Sequence, residues 1–411
     1  MKILWVNTNF MHPTTKGGQI RTLEMLRLLH LRHEIHYVAL ENPANPEGSR
    51  RSSEYSTKAY PVPHRIRDRR SPGFALQVAA SLFSPVPLAV SRFHPPGMEE
   101  RLEHLIRNER FDRAVVDHLA PTAYFPRMGE AVFFQHNVET VIWQRYVEHT
   151  SDPIRRWYFQ VQAARMLEYE RRVSRAAGHI VAVSATDAQA MQRLFGVTKV
   201  SEIPTGVNIE YFTPPGPVPP AAELVFVGSM DWLPNVDGML FFVREVLPLI
   251  LRRRPRTTMT IVGRTPPPEI QALARAQPMI TVTGTVADVR PYLWGAKISI
   301  VPLRIGGGTR LKIYESMAAR VPVVSTTTGA EGLTIHPPED IRLADRPQDF
   351  AERCLELLDD ASERERVAGR ALEMVSSQFS WDTVARCFER VLESAPALSY
   401  SRTKAYNREA S

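Results

Sequence analysis

A glycine triplet followed by two cations and one acid is the stretch of this sequence whose residue types best suit chemistry. Three glycines at 306–308 are followed by Arg310, Lys312 and Glu315. The apolar run that ends at Leu303 predicts a strand before the glycines, and the residues after them predict a helix. The glycines would then lie at a helix N-terminus, where free N–H groups and the helix dipole favour an anion and bare backbone admits it closely.

The ligand that suits this set best is a nucleoside diphosphate that carries a polyol. A diphosphate spans more donors than a carboxylate does, and Arg310 and Lys312 supply the opposite charge. Glu315 follows one or two turns deeper, where a carboxylate accepts hydroxyl protons from a ribose or a sugar. The alternative is a glycine loop flanked by surface cations. The chain contains neither G-x-x-x-x-G-K-[ST] nor G-x-G-x-x-G, so a P-loop kinase and a standard dinucleotide dehydrogenase lose support.

Two of the twelve histidines stand at the ends of predicted strands. His118 follows Asp117, and His136 precedes Asn137 and Glu139. Because ligands of open α/β sheets bind at the carboxyl ends of the strands, both rings are candidates for an active site. Asp117, Asn137 and Glu139 are placed to orient the rings or to bind acceptor hydroxyls. The alternative for each ring is a core histidine that bonds to the backbone.

The elements that must position these residues form two similar series. The order strand, glycine loop, helix, strand opens a doubly wound parallel sheet, and after a Pro- and Gly-rich stretch near 204–220 the same pattern restarts. We predict an α/β protein with an N-terminal domain (1–205), a C-terminal domain (206–385), and a last helix and tail (386–411) that packs back on the N-terminal domain. The carboxyl ends of both sheets are expected to face a cleft between the domains.

Composition supports two globular domains. A chain of 411 residues, with 44% hydrophobic and 23% charged residues, exceeds one ordinary core and is neither disordered nor fibrous. Its two cysteines, Cys354 and Cys387, form no CxxC motif and are interpreted as small buried hydrophobes. The apolar run before Asn7 is too short for a signal peptide or a membrane span, and no later run approaches the length of a span. We therefore expect a cytoplasmic protein.

The net charge of +7 is partly local. Residues 50–70 hold seven cations and two acids, and the predicted helix at 153–177 places aromatic residues beside Arg155 and Arg156. Such a basic surface is typical of peripheral contact with an anionic membrane, whereas a solvated loop and core aromatics are the alternatives. No nucleic-acid fold signature accompanies the charge, so no nucleic-acid partner is expected.

Four stretches resemble retaining glycosyltransferases of the GT-B fold, which has two Rossmann-like domains. They are "GGGTRLKIYESMAARVPVVSTTTGAEGL", "LVFVGSMDWLPNVDG", "VTGTVADVRPYL" and "IPTGVNIEYF". The family includes glycogen and sucrose synthases, and the branch most similar to this chain assembles exopolysaccharides and capsules. The resemblance implies a UDP-sugar or GDP-sugar donor, bound mainly by the C-terminal domain. It also implies a glycan or lipid-linked acceptor, bound by the N-terminal domain. It is most specific at 224–333 and looser before residue 110.

The resemblance also assigns roles to single residues. Glu315 matches the second acid of the family's E-x7-E motif, which contacts the donor ribose. Gly307 stands where the first acid, a contact of the donor sugar, is expected. Because this first acid is absent, the identity of the donor sugar is not predicted. We expect the amides of Gly308 and Thr309 to take the place of the acid.

Other donor contacts follow from the same comparison. His136 matches a histidine that lies against the donor sugar, and Gly17 and Gly18 match a glycine loop near the donor phosphate and the acceptor. Arg264 is expected to pack on the face of the base. The loop that lies along the base matches Gly284, Thr285 and Val286.

The chemistry implied is sugar transfer with retention of configuration. The anomeric C–O bond breaks through an oxocarbenium-like state while charge builds on the leaving diphosphate, so Arg310 and Lys312 act at the barrier without a metal. The chain shows no carboxylate suited to act as nucleophile, which favours the family's front-face mechanism, in which the leaving phosphate helps to deprotonate the acceptor. A nucleotide-sugar epimerase or hydrolase on the same fold and a non-enzymatic sugar-binding protein are the alternatives.

Overall fold

Two all-parallel sheets, one in each half of the chain, organise the molecule. The structure is a computed structural model that describes residues 1–14, 17–43, 46–68, 71–150, 152–305 and 311–399. The chain divides into an N-terminal unit, Met1–Ile203 with Ala385–Ser411, and a C-terminal unit, Pro204–Val384.

The N-terminal unit has a seven-stranded sheet covered by helices. Its strands are β1 (Lys2–Asn7), β2 (Glu34–Glu41), β3 (Lys58–Pro63), β4 (Arg113–Asp117), β5 (Ala131–Gln135), β6 (His179–Ala182) and β7 (Val200–Glu202), in the order β3-β2-β1-β4-β5-β6-β7. Its helices are α1 (Gly17–His30), α2 (Glu47–Arg50), α3 (Pro72–Ser81), α4 (Leu88–Ser91), α5 (Met98–Glu109), α6 (Glu139–His149), α7 (Pro153–Ala176) and α8 (Ala185–Phe195).

The C-terminal unit repeats this arrangement with six strands. They are β8 (Ala222–Val227), β9 (Met259–Val262), β10 (Ile280–Gly284), β11 (Ala296–Val301), β12 (Val323–Ser325) and β13 (Arg342–Leu343), in the order β10-β9-β8-β11-β12-β13. Its helices are α9 (Ile209–Phe212), α10 (Leu233–Phe241), α11 (Leu247–Arg253), α12 (Pro268–Ala276), α13 (Arg290–Trp294), α14 (Leu311–Ala318), α15 (Pro347–Asp359) and α16 (Ala361–Gln378).

Burial on both faces explains why the inner strands are nearly continuous apolar runs. Ile3, Leu4, Trp5 and Val6 of β1 have no exposed surface, as a parallel strand between two helical layers requires. In each sheet the chain first moves outward from the central strand and then crosses to its other side. The strand order therefore reverses between β1 and β4 and again between β8 and β11. Ligands of doubly wound sheets bind at this reversal, at the carboxyl ends of the strands.

The last helix, α17 (Trp381–Ser394), ends in the N-terminal unit. Phe388 packs against Trp5 and Phe134, with ring centroids 5.5 and 5.2 Å apart. Arg113 donates hydrogen bonds to the carbonyl oxygens of Leu392 and Glu393 at 2.5 and 3.0 Å. These contacts fix the end of the chain to the first sheet.

Two sequence-based expectations require correction. The segment at 58–63, treated as part of a basic docking surface or a solvated loop, is the edge strand β3. Pro61 and Pro63 obscured it, although proline is tolerated on an edge strand because that strand bonds on one side alone. Cys354 is buried as expected, but Cys387 is only half-buried.

Within the described residues no helix combines the length and the apolarity that a bilayer crossing requires.

Candidate functional site

The carboxyl end of β4 carries a fully buried carboxylate, Asp117, whose two oxygens both accept hydrogen bonds. Oδ2 accepts from Trp5 Nε1 at 3.0 Å, from Asn7 Nδ2 at 2.7 Å and from Thr22 Oγ1 at 2.9 Å. Oδ1 accepts from His136 Nε2 at 2.6 Å. Because Asn7 ends β1 and His136 follows β5, the parallel sheet brings these groups together at the strand-order reversal.

These contacts keep Asp117 ionised. Burial alone would raise the pKa of this carboxyl, but His136, His118 and the hydrogen bonds from His136 and Trp5 lower it to about 2. A buried negative charge is thus held at the end of β4, and its four donors account for its stability there.

His136 is a neutral imidazole between Asp117 and Arg21. The Nη1 of Arg21 donates to His136 Nδ1 at 3.0 Å, so the ring proton is on Nε2 and points to Asp117. Burial, with His118 nearby, lowers the pKa of His136 to about 3, although Asp117 opposes this shift. Burial also lowers the pKa of Arg21 to about 10, which leaves the guanidinium charged at neutral pH.

His118 covers His136 on the outside. The two rings stack with centroids 3.9 Å apart and 21° between planes. The side chain of His118 is 34% exposed and that of His136 only 2%, so a ligand meets His118 first. His118 has a left-handed φ of 73°, a conformation that is uncommon outside glycine and concentrates at functional sites. Its backbone N–H donates to Phe134 O at 2.9 Å.

Gly18, in the first turn of α1, leaves the space that these rings occupy. A Cβ at this position would lie 3.3 Å from His118 Cε1 and 3.6 Å from His136 Nδ1. The structure therefore brings the predicted residues Gly18, His118 and His136 together. Gly17 begins α1, and Asn137 is half-buried directly after His136.

Three side chains of this cluster, Asp117, His118 and His136, have candidate ligand atoms within 4.8 Å of one another, the spacing of a metal site. The chemistry of this set does not suit a cation. Asp117 already accepts four hydrogen bonds, both nitrogens of His136 have partners, and the positive Arg21 lies beside the ring. We interpret the cluster as a hydrogen-bond network.

A second buried acid, Glu170 of α7, holds the segment after His136. Glu170 accepts hydrogen bonds from Glu139 N at 2.9 Å, from Thr140 N at 2.8 Å and from Thr140 Oγ1 at 2.6 Å. Gln135 Nε2 donates to it as well. Burial and the charge of Glu170 raise the pKa of Glu139 to about 7, so this half-buried acid is partly protonated at neutral pH.

In the C-terminal unit, Lys312 of α14 reaches the carboxyl end of β8. Its Nζ donates to Asn235 Oδ1 at 2.9 Å and lies 4.3 Å from the ring centroid of Phe226. Asn235 Nδ2 in turn donates to Ser229 O at 2.7 Å. A Cβ at Gly228 would lie 2.6 Å from Lys312 Nζ, so glycine at this position leaves room for the ammonium.

Glu315 is half-buried on the same helix as Lys312, about one turn further along. Burial raises the pKa of its carboxyl to about 7, although the charge of Lys312 opposes this shift. A cation and an acid that titrates near neutrality therefore share one helix at the strand-order reversal. They suit a phosphate and a hydroxyl-bearing group, respectively.

The other predicted donor residues are dispersed. Arg264, 44% exposed on its side chain, donates from Nε to Ser229 Oγ at 2.7 Å and pairs with Asp231 at 3.3 Å. Gly284 ends β10 with a left-handed φ of 71° and open space where a Cβ would lie. Thr285 after it is exposed, and Val286 packs against the core of the unit.

The predicted residues Gly307, Gly308, Thr309 and Arg310 lie outside the described residues.

Three residues of these sites were not predicted from the sequence: Arg21, Asn235 and Glu170. Arg21 follows Gly17 by one helical turn, a spacing that places both on one side of α1. Asn235 lies 77 residues from Lys312, and Glu170 lies 30 residues from Thr140, so no local pattern marks either contact.

Two family models match the chain, one in each unit. The model described as Glycosyltransferase Family 4 matches residues 15–211, and the model described as Glycosyl transferases group 1 matches residues 221–360. The histidine pair lies in the first match, and Lys312 and Glu315 lie in the second.

Three relatives illustrate the sequence similarity. An uncharacterized 44.6 kDa protein in the cps region of Klebsiella pneumoniae is 18% identical over 92% of this chain and 96% of its own length. A GDP-mannose-dependent phosphatidylinositol monomannoside mannosyltransferase of Corynebacterium glutamicum is 24% identical over 47% of this chain and 56% of its own. A D-inositol 3-phosphate glycosyltransferase of Catenulispora acidiphila is 26% identical over 56% of this chain and 60% of its own length. The chain thus spans little more than half the length of the two named enzymes.

Solved structures share the fold over almost the whole chain. Anabaena HepE in complex with UDP and glucose superposes with a TM-score of 0.67 and 14% identity, covering 96% of this chain and 100% of that one. A sucrose-phosphate synthase from Thermosynechococcus elongatus superposes with a TM-score of 0.69 and 16% identity, covering 96% of this chain and 98% of that one.

Proposed function

The chain is a glycosyltransferase of the GT-B fold, and on that premise we propose that it transfers a sugar from a nucleoside diphosphate sugar with retention of configuration. The acceptor that we propose is a glycan or a lipid-linked glycan precursor of a surface polysaccharide. The observation that carries the proposal is the position of Lys312, whose ammonium is held by Asn235 and by the space at Gly228 at the carboxyl end of β8.

The C-terminal unit would bind the donor. Lys312, together with Arg310 and the amides of Gly307, Gly308 and Thr309, would neutralise the diphosphate as it leaves. Glu315 would accept hydrogen bonds from the ribose hydroxyls. Gly284, Thr285 and Val286 would lie along the base, as the family resemblance implies.

The N-terminal unit would contribute the histidine pair. His118, as the exposed ring, would contact the sugar or the acceptor, and His136 would hold it through the stack while Asp117 and Arg21 fix the orientation of His136. The negative charge of Asp117 would favour the oxocarbenium-like state electrostatically. Asn137 and Glu139, one and three residues after His136, would bind acceptor hydroxyls.

The donor base stays open between uracil and guanine, since one similar structure holds UDP and one relative is named for GDP-mannose. The location of the Klebsiella relative in a cps region supports a surface polysaccharide as the product. We further propose a cytoplasmic enzyme that works without a metal ion and lies peripherally at the inner face of the membrane.

A donor screen tests the proposal. The protein would be incubated with UDP- and GDP-sugars, with and without a lipid or glycan extract, and released nucleoside diphosphate would be measured. We expect one donor to react in an acceptor-dependent way and the anomeric configuration in the product to be that of the donor. Inverted configuration would contradict retention, and turnover that ignores the acceptor would indicate hydrolysis.

A further inference from the structure

One side of helix α3 presents only apolar side chains to solvent. The exposed positions of this helix and of the residues that follow it recur at helical spacing and form a single stripe. They are Pro72, Ala75, Leu76, Ala79, Ala80 and Phe83. Leu76 is 69% exposed and Phe83 is 91% exposed, so two large hydrophobic side chains have almost no cover.

The end of α3 contacts α7, and the first turns of α7 carry further exposed apolar side chains. Ser81 Oγ lies 3.3 Å from Tyr158 Oη and accepts a hydrogen bond from Gln162 Nε2, also at 3.3 Å. Arg165 donates to the carbonyl oxygen of Leu82. The end of α3 is therefore fixed beside α7, and Phe83 follows directly.

The first turns of α7 and the facing side of α6 add exposed aromatic and aliphatic groups. Ile154 is 78% exposed, Trp157 is 54% exposed and Tyr146 is 51% exposed. Tyr146 packs on Phe159 with centroids 5.7 Å apart, which joins α6 to α7. Among the described residues, six of the ten exposed large hydrophobic side chains fall between positions 66 and 157. We call this region, formed by the stripe with Tyr146, Ile154 and Trp157, the α3–α7 surface.

Cations border the α3–α7 surface. Arg155 and Arg156 are exposed between Ile154 and Trp157. Arg67, also exposed, donates from Nη1 to Gly73 O at 2.9 Å, which places its guanidinium at the first turn of α3. The acids nearby in sequence are Asp68, Glu148 and Asp152, and Asp152 is engaged as the N-cap of α7 through Arg155 N.

We propose that the α3–α7 surface docks on an anionic lipid bilayer, with Leu76 and Phe83 among the acyl chains and Arg155 and Arg156 at the headgroup phosphates. Exposed apolar side chains bordered by arginine, with tryptophan and tyrosine at the boundary, suit the two-layered chemistry of a bilayer surface. This inference names the surface for the membrane contact in the proposed function. Because binding to lipid is measured without any donor, its failure leaves the transfer reaction standing.

Vesicle sedimentation tests the proposal. The full chain would be mixed with vesicles of phosphatidylcholine, alone or with phosphatidylglycerol, at low and high salt. We expect binding to the anionic vesicles that weakens as salt rises. Leu76→Asp/Phe83→Asp should weaken it by roughly tenfold or more, whereas Leu31→Asp, at a leucine that is 78% exposed elsewhere on the unit, should not.

A second pair of matched double variants tests the electrostatic contribution to vesicle binding. Arg155→Gln/Arg156→Gln should weaken anionic binding by roughly tenfold, while Arg252→Gln/Arg256→Gln removes the same charge from exposed positions of the C-terminal unit and should leave binding unchanged. Circular dichroism and nucleotide binding would verify that each variant is folded. The proposal is overturned if the wild-type protein binds neither type of vesicle. An equal loss in the control variants also overturns it, as does a dimer that Leu76→Asp/Phe83→Asp dissociates while vesicle binding is absent.

Discussion

The imidazole rings of His118 and His136 stack 3.9 Å apart, and only the first reaches solvent. His136 is fully engaged beneath, with Asp117 at one nitrogen and Arg21 at the other. The pair thus separates two tasks: an outer ring that a sugar can contact and an inner ring that fixes its position. The five predictions that follow test this division and the donor site.

Replacing each histidine separates contact from positioning. We expect His118→Ala to lower the transfer rate by roughly ten- to a hundredfold, the scale of one lost polar contact, with little change in thermal stability. His136→Ala should also lower the free energy of unfolding by about 2–4 kcal/mol, because it leaves Asp117 and Arg21 buried with one partner fewer. His104→Ala, at an exposed histidine of α5, is the control. Equal losses of stability in both variants would contradict the division.

The buried neutral His136 should make stability depend on pH. The pKa of His136 falls from 6.5 to about 3 on folding. Between these pH values the imidazole is therefore protonated in the unfolded chain and neutral in the native protein. Stability is therefore lost as the pH falls from 6.5 towards 3, by about 1.4 kcal/mol per pH unit. Glu139 and Glu315, with a pKa of about 7, act in the opposite direction between pH 4.5 and 7.

The contribution of His136 is measured by difference, because the acids are common to both proteins. Chemical denaturation of wild type and His136→Gln between pH 4 and 7 should give a steeper rise of stability with pH in the wild type. Parallel curves would show that His136 takes up its proton in the native state.

Nucleotide binding should depend on the ionisation of Glu315. Since the pKa of this acid is about 7, the carboxylate that accepts ribose hydroxyls is only partly formed at neutral pH. We expect the ratio of dissociation constants, Glu315→Gln over wild type, to rise between pH 6 and 8 and then level off. Calorimetry with UDP and GDP measures it, and the ionisation of the phosphates cancels in the ratio. A ratio that does not change with pH would show that the Glu315 carboxylate does not bind the ribose.

Gly228→Ala should displace the ammonium of Lys312. The new Cβ would lie 2.6 Å from Nζ, 2.8 Å from Asn235 Nδ2 and 3.0 Å from Cε1 of the buried Phe226, so all three side chains would have to shift. We therefore expect stability to fall by about 1–3 kcal/mol and diphosphate affinity to fall clearly, as measured by denaturation and by calorimetry. Gly369→Ala, where a Cβ meets nothing within 4 Å inside α16, should instead stabilise the protein by about 0.5–1 kcal/mol and leave binding intact. Unchanged affinity in Gly228→Ala would mean that the ammonium is not at the phosphate.

Much of the fold could be predicted because inner strands of parallel sheets carry their signal locally. The run at β1 is apolar on both faces, and the long helix α7 begins with Pro153 after the N-cap Asp152. The strand β3 was missed because its prolines and Lys58 resemble a loop, and only pairing with β2 makes it a strand.

The site was predicted unevenly for a similar physical reason. His118 and His136 could be found because each follows a strand, and strand ends converge. Arg21 could not, since arginines on helices are common and its significance depends on burial against His136. The partner of Lys312 likewise becomes visible only when the sheet places α10 beside α14.

A diphosphate bound at Lys312 is the central claim, and titration of UDP and GDP by calorimetry tests it most directly. We predict that at least one nucleoside diphosphate binds and that Lys312→Met weakens it by about 1.5–3 kcal/mol, the scale of a charge-assisted contact. Lys297→Met, at the lysine paired with Glu223, should bind like the wild type. If neither nucleotide binds at millimolar concentration, or if Lys312→Met binds as tightly as the wild type, the central claim is wrong.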